Sequence, residues 1–468
     1  MERGAAQAFS LVVQIVLARL LTPEDFGTLA VLLVFVNVSN VFIQKGFAMA
    51  LIQREHIEDI DTNTVFWVSE FIAVIMYIFI WLVAPMVEKI YRTPQLAVYL
   101  RAISISLFPG AFYSIENSLL VRNMRFKNMF FSSFAATLIA GIFAMSLAHN
   151  GMGCWALIWQ SITQQLLLSL FSFPFCKWKI RRQVSKASFN TVFRFGSNVL
   201  FAELLYTGVE NLRTLIIGVK YSPSDLAYYD RGQAYPSIAM RSIYDTVGSV
   251  LLPVFSREQN DNIRLKQFVQ KALGFSFYLI APSFIGFALV AEPITRLLLT
   301  DKWLSCVPYM RVFCLYQLGI LPYCILRNVL YAMGQSKRCL FLEILKTFFS
   351  LSAVVIGMQM NPFAIALLLT LASWLTTFAY GVEIHKSLHF DLREIFGDLT
   401  RIILCCIGMS VAIQFVDRLI SKIVLKILLD VLAGILVYIL LSMLSNSKYF
   451  VESLSIVNKV IKRLHREN

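Results

Sequence analysis

Apolar runs of about 20 residues recur along the whole chain, separated by short breaks marked by Pro, Gly, Asn or clustered charge. Runs of that length read as helices that cross a bilayer, since a barrel strand needs only about ten residues of alternating character. The pattern predicts helices near 4–21, 26–46, 64–85, 96–120, 129–148, 153–175, 192–218, 226–253, 268–291, 306–331, 338–358, 362–383, 399–416 and 423–444. That makes about 14 transmembrane helices, the last two parted only by the brief break at Asp417–Lys422. The expected class is an all-α integral membrane protein.

Two neighbouring spans break the apolar rule. Glu203, Glu210 and Arg213 interrupt the first, and Asp230, Arg231, Arg241 and Asp245 the second. An ionisable group at that depth costs about 2.5–3.5 kcal/mol on insertion scales, so it needs a wet cavity, a partner or a task. At about 100° per residue, Glu203, Tyr206, Glu210 and Arg213 share one narrow arc. Arg231, Arg241 and Asp245 share one side of the next helix, with Ile238, Val247, Val250 and Leu251 as apolar surface around them. Two polar stripes can line one cavity. The competing reading is local neutralisation, because Glu210 with Arg213 and Arg241 with Asp245 stand at pairing distance on their own helices.

Composition agrees with the span count: 58% of the 468 residues are hydrophobic and only 15% charged. The formal charge of +14 suggests nucleic acid only if the basic residues gather on a soluble domain, and no stretch is long enough to make one. They gather in loops instead: Arg122, Arg125 and Lys127; Lys177 to Lys186; Arg257, Arg264 and Lys266; Lys337 and Arg338; Lys386 and Arg393; and the tail after Lys459. The positive-inside rule then places both termini in the cytoplasm. The first segment lacks a basic leader and a small-residue cleavage site, so it reads as a retained helix rather than a secretory signal. In the tail, Phe450, Leu454, Val457, Ile461 and Leu464 form an apolar stripe beside basic residues, as in an interfacial helix on anionic headgroups.

The eight cysteines show no Cys-x-x-Cys spacing and read as small buried hydrophobes. His385 and His389 have helical metal-pair spacing without a third ligand, so no metal is expected. There is no phosphate loop ending in Lys-Ser/Thr, no Gly-x-Ser-x-Gly elbow and no His-Glu-x-x-His. Neither a catalytic residue nor a cofactor is expected.

The two halves repeat at an offset of about 200–211 residues. Thr22-Pro23-Glu24-Asp25-Phe26-Gly27 matches Ser222-Pro223-Ser224-Asp225-Leu226-Ala227; Tyr99 and Arg101 match Tyr309 and Arg311; Ala156-Leu157 matches Ala366-Leu367. The expected architecture is two six-helix bundles related by a pseudo-twofold axis along the membrane normal, plus two C-terminal helices. The expected domains are 1–176 (first bundle), 177–191 (basic cytoplasmic linker), 192–385 (second bundle), 386–446 (two further helices) and 447–468 (basic amphipathic tail). Repeat symmetry pairs the two polar helices with the first two of the chain, where Arg19 aligns within a residue of Lys220. A cation then stands near the outer mouth of each bundle, with headgroup snorkelling as its alternative role.

Ala18-Arg19-Leu20-Leu21-Thr22-Pro23-Glu24-Asp25-Phe26-Gly27, Ala50-Leu51-Ile52-Gln53, Gly153-Cys154-Trp155-Ala156-Leu157, Asn211 to Gly218 and Asp225 to Gly232 together resemble the polysaccharide-export flippases. Asp301-Lys302-Trp303 before Val307-Pro308 is similar to a further stretch of the same family. That family belongs to the multidrug/oligosaccharidyl-lipid/polysaccharide superfamily, with the multidrug and toxin extrusion transporters and the peptidoglycan lipid flippases. The resemblance covers about Met1 to Glu383 and implies a transporter, not an enzyme. The implied cargo is polyprenyl-diphosphate-linked oligosaccharide, moved by alternating access across the bacterial inner membrane for capsule, exopolysaccharide or O-antigen-like polymer. Polysaccharide polymerase machinery is the implied protein partner. Arg213, Arg231 and Arg241 are then candidates for the diphosphate head, joined by Arg19; Tyr206, Asn211, Gln233 and Tyr235 for the sugars; and Glu203, Glu210 and Asp245 for H+ or Na+ coupling. The chain departs from the family before Glu2, where a longer basic and apolar lead is usual, so the first helix is expected to lack its cytoplasmic portion and to leave the inner gate less sealed.

Two other classes fit less well. An exporter of small amphipathic cations needs an acid-rich cavity, whereas these stripes carry Arg beside Glu and Asp. A glycan ligase or polymerase needs a long outward loop, and none is present.

Overall fold

The computed structural model describes residues 2–45, 51, 57–176, 178–258, 261–388, 392–420, 422–445 and 448–451. The described residues are helical almost throughout: α1 (Glu2–Leu20), α2 (Pro23–Asn40), α3 (Asp59–Tyr91), α4 (Leu96–Ile103), α5 (Leu107–Arg122), α6 (Phe126–His149), α7 (Cys154–Cys176) and α8 (Lys186–Lys220). There follow α9 (Pro223–Arg257), α10 (Asn262–Leu289), α11 (Ala291–Leu298), α12 (Val307–Ala332), α13 (Ser336–Gly357), α14 (Pro362–Leu388), α15 (Leu392–Leu419) and α16 (Ile423–Leu444). Among the described residues ten helical stretches are long and apolar enough to cross a bilayer, which makes the chain a multi-pass membrane protein. The short helix α11 and a one-turn 3-10 break at Ser104–Ser106 are the main departures from the sequence-based helices. The Leu96–Arg122 stretch stays continuous through that break, because the flanking turns keep helical dihedrals.

By packing, the chain forms two compact units, Met1–Ala227 and Tyr228–Asn468. Two helix starts, both within the first unit, are capped in the same way. At the start of α2, Thr22 donates its backbone N–H (2.9 Å) and hydroxyl (2.7 Å) to Asp25 Oδ2, while Asp25 N–H returns to Thr22 Oγ1. At the start of α9, Ser222 and Asp225 make the same three bonds, at 3.2, 2.7 and 3.1 Å. A proline inside the first turn costs nothing there, since its missing N–H has no helical partner. Replacing Thr22 or Ser222 by Ala is expected to cost about 1 kcal/mol each, read as a lowered melting temperature in detergent.

The repeated arginines behave alike too. Arg101 reaches back to the Trp81 carbonyl on α3 at 3.3 Å, and Arg311 to the Ala288 carbonyl on α10 at 3.2 Å. So do the turns after α5 and α12: Met124 and Gly334 take left-handed φ values of 54° and 70°, and the next N–H, on Arg125 or Gln335, bonds five residues back to Leu120 or Leu330.

The basic stretch after α7 is pinned to the first unit. Trp178 is buried against Phe66 and Phe112, Arg181 N–H donates to Asn63 Oδ1 (2.7 Å), Trp67 Nε1 to the Arg181 carbonyl (3.0 Å), and Ser185 N–H to Thr64 Oγ1 (3.0 Å). Backbone polar groups that leave a helix near an apolar surface need such partners. Close helix contact also rests on glycine. A Cβ on Gly27 would fall on the Pro223 carbonyl, and one on Gly232 would meet Tyr309 and the Cys306 carbonyl. All eight cysteines are buried, as small apolar side chains in packed helices are.

Candidate functional site

In the first unit, Arg213 Nη2 lies 3.2 Å from Glu210 Oε2 one turn back on α8; the guanidinium is mostly covered and the carboxylate half-exposed. Local neutralisation is therefore what these two residues do in this conformation. Asn211 turns its amide to the Thr207 carbonyl of the same helix at 2.7 Å. Glu203 is half-buried, and Arg19 is exposed at the end of α1. The side chain of Tyr206 lies outside the described residues, as do that of Asp245 and all of His389. In the second unit, Arg231 and Tyr235 lie four residues, about one turn, apart on α9. Gln233 is half-buried and Arg241 exposed.

Among the described residues of the second unit, a further polar constellation involves none of these. Glu343 on α13 accepts from Tyr323 (α12) at 2.5 Å and from Tyr380 (α14) at 3.0 Å through one oxygen, and its other oxygen lies 3.5 Å from Lys346 Nζ. Arg327 on α12 donates to Tyr323 at 3.0 Å and to Tyr244 of α9 at 2.6 Å, and stands 3.9 Å from Glu343. Lys346 also donates to the Tyr323 hydroxyl at 3.1 Å and lies 4.5 Å above the ring. Four helices thus place two cations, one anion and three phenols together. Tyr380 is fully buried, while the three charged side chains keep between 26% and 39% exposure, so the group sits at the rim of the packed interior.

This group was legible in part. Arg327, Glu343 and Lys346 lie in helices long and apolar enough to cross a bilayer, and the cost of an intramembrane charge flags them as it flags Glu210 and Arg231. What the sequence lacked was the approach of α12, α13 and α14, without which Arg327 and Glu343 are single charges on separate helices. The same criterion reaches Glu116 and Asp430, which are fully buried with no hydrogen-bond partner for either carboxylate among the described residues. Asp430 lines a mainly apolar cavity of about 490 Å³ with Tyr278, Met409 and Tyr438. A second cavity, of about 690 Å³, carries Glu292, Arg296, Arg311, Asp417 and Lys426. Its charges are already matched internally, Arg296 to Glu292 and Asp301, and Lys426 to Asp417.

Residues 16–308 match the family described as polysaccharide biosynthesis protein, more than half of the chain. The chain belongs to that family. It is 26% identical over 309 residues to the succinoglycan biosynthesis transport protein ExoT of Rhizobium meliloti (strain 1021), covering 66% of this chain and 62% of that one. It is 23% identical over 356 residues to the lipopolysaccharide biosynthesis protein WzxC of Escherichia coli (strain K12), covering 75% and 72%. Among solved structures it resembles the lipid II flippase MurJ in an inward closed conformation, with a TM-score of 0.70 at 17% identity over 94% of this chain and 98% of that one. That likeness is one of fold. The family match includes Arg213, Arg231 and Arg241 and stops short of Arg327, Glu343 and Lys346, which lie in the part matched by fold.

Proposed function

We propose that the protein is a flippase that carries polyprenyl-diphosphate-linked oligosaccharide across the bacterial inner membrane for surface polysaccharide assembly, and not an enzyme. The family match over residues 16–308 carries this reading, together with the likeness to ExoT, which is named a succinoglycan biosynthesis transport protein. The likeness in fold to a protein named a lipid II flippase supports a lipid-linked cargo. The finer architecture is part of the proposal: about 14 spans, two like-oriented six-helix bundles and two further helices, with both termini cytoplasmic. Matching caps at Thr22 and Ser222, matching turns at Met124 and Gly334, and matching arginine contacts at Arg101 and Arg311 support the repeat. Two similar halves can rock about a shared cavity and open it first to one side, then to the other.

In this scheme a doubly charged head leaves the interface and passes a low-dielectric slab. Arginine offsets the lost hydration with charge-assisted, often bidentate contacts. Arg213, Arg231 and Arg241 are assigned that task. Arg213 must exchange its bond to Glu210 for the substrate, which gives Glu210 a role in the transport cycle. Proton or sodium coupling through Glu203, Glu210 or Asp245 and an association with polymerase machinery complete the proposal.

The test is reconstitution of purified protein in vesicles with labelled diphosphate-linked oligosaccharide. Label placed on one leaflet becomes reachable from the other; no transfer above protein-free vesicles overturns the function. Arg213→Ala, Arg231→Ala and Arg241→Ala each reduce surface polymer at least tenfold at unchanged membrane abundance. Unchanged polymer in all three removes the arginines from the site.

A further inference from the structure

Glu343 occupies a place built for an anion. Around its carboxylate stand two cations, Arg327 and Lys346, and the hydroxyls of Tyr323 and Tyr380, with Tyr244 holding the far side of Arg327. A guanidinium, an ammonium and converging hydroxyl donors recognise phosphate oxygens as readily as a carboxylate. Position on α13 supports access. Leu340, Phe341, Ile344 and Phe348 are exposed along one side of that helix, as lipid-facing residues are, whereas Lys346 falls on the opposite side and Glu343 at the margin between the two, at about 100° per residue. Both are about a third exposed, so the cluster can be reached from outside the packed helices. Glu343 lies about 10 Å along α13 from its first residue, and a polar face at that depth in a span calls for water or a ligand.

The repeat removes the simplest structural explanation. At the offset of 210 residues shared by the turns at Met124 and Gly334, Tyr113 stands where Tyr323 does, but Asn117, Ser133 and Ala136 stand where Arg327, Glu343 and Lys346 do. The first unit forms the same turn and helix pair without the charges, so the helix packing does not require them.

We infer that the Arg327–Lys346–Tyr323–Tyr380 cradle is an anion site for a phosphate or diphosphate group, held by Glu343 as a built-in competitor until that group displaces the carboxylate. Displacement leaves the two cations matched by an anion throughout, and the released Glu343 carboxylate turns to water or takes up a proton, since left dry and unpaired it would cost several kcal/mol, on the order of the buried-charge penalty. Identifying the anion with the head of a lipid-linked sugar rests on the flippase reading; the site itself does not.

The experiment measures inorganic pyrophosphate binding to the purified full-length chain by titration calorimetry, with melting temperature followed in parallel. Glu343→Gln removes the competing charge and keeps the hydrogen-bonding shape, so pyrophosphate binds about tenfold more tightly than to the parent, the effect of one charge-assisted contact. Adding Arg327→Ala or Lys346→Ala to Glu343→Gln abolishes that gain. Glu343→Asp, which keeps the charge but draws it back from the cations and hydroxyls by one methylene, tightens binding about two- to threefold and carries the test if Glu343→Gln does not fold. Unchanged affinity in Glu343→Gln, or in Glu343→Asp when Glu343→Gln does not fold, overturns the inference, as does a gain that survives loss of Arg327 and of Lys346. A bilayer arm separates the sources: bound pyrophosphate displaced by phosphatidylglycerol nanodiscs marks a membrane headgroup, and resistance to them marks a diphosphate, both supporting the shared phosphate chemistry. Vesicle transport reports separately on the flippase reading. Transport with no change in pyrophosphate affinity removes only this site, and the affinity pattern without transport removes only the function.

Discussion

Gly27→Val abolishes the folded protein or lowers its stability by about 3 kcal/mol or more, at the upper end of overpacking costs. The reason is local and rigid: the added Cβ falls on the Pro223 carbonyl, a backbone group that cannot rotate away as a side chain does. The contact joins the first turns of α2 and α9, the two sequence-matched, capped helix starts, and both lie in the first unit. Gly381→Ala on α14 is the control. A Cβ there meets nothing within 4 Å, so the substitution is expected to stabilise by about 0.5–1 kcal/mol through reduced chain entropy. Monodisperse yield and melting temperature in one detergent check both. A Gly27→Val protein with the parent's melting temperature refutes the close approach.

Arg327→Leu is expected to lose both transport and about 2–3 kcal/mol of stability. Its guanidinium makes two hydrogen bonds, to Tyr323 and Tyr244, and helps neutralise Glu343. Charge-assisted bonds contribute about 1.5–3 kcal/mol each, discounted here because the pair keeps about a quarter to a third of its exposure. Leucine fills similar space on an apolar helix, so the loss is one of charge and hydrogen bonding rather than of packing. Arg327→Lys restores part of the stability, because an ammonium reaches one phenol but not both in the fork that guanidinium provides. Melting temperature and vesicle transport, measured on the same preparations, check this; wild-type values of both in Arg327→Leu refute the assignment.

The site residues show where sequence reasoning succeeds and where it stops. Glu210 and Arg213 were recognisable as partners because helical spacing alone puts positions three apart side by side. The capping boxes at Thr22 and Ser222 were recognisable as a repeat for the same reason: the cap, the proline and the returning carboxylate lie within four residues. Arg327 and Glu343 are 16 residues apart on different helices, and Tyr380 is a further 37 away, so nothing local joins them. The turns after α5 and α12 lie between these extremes. Gly334 announces its left-handed conformation, whereas Met124 adopts one with no residue type to signal it.

The sequence by itself determined that this chain enters a membrane, where most of its helices lie, that the helix starts at Thr22 and Ser222 share one cap, and which family it resembles, because length, capping and spacing are properties of contiguous residues. Only the tertiary structure decided which charges meet. An intramembrane ion pair depends on the distance between helices, and that distance is set by packing such as the Gly27–Pro223 approach and the meeting of α12, α13 and α14 around Glu343. The cost of burying a charge can be read from one residue, but what offsets it lies on another helix.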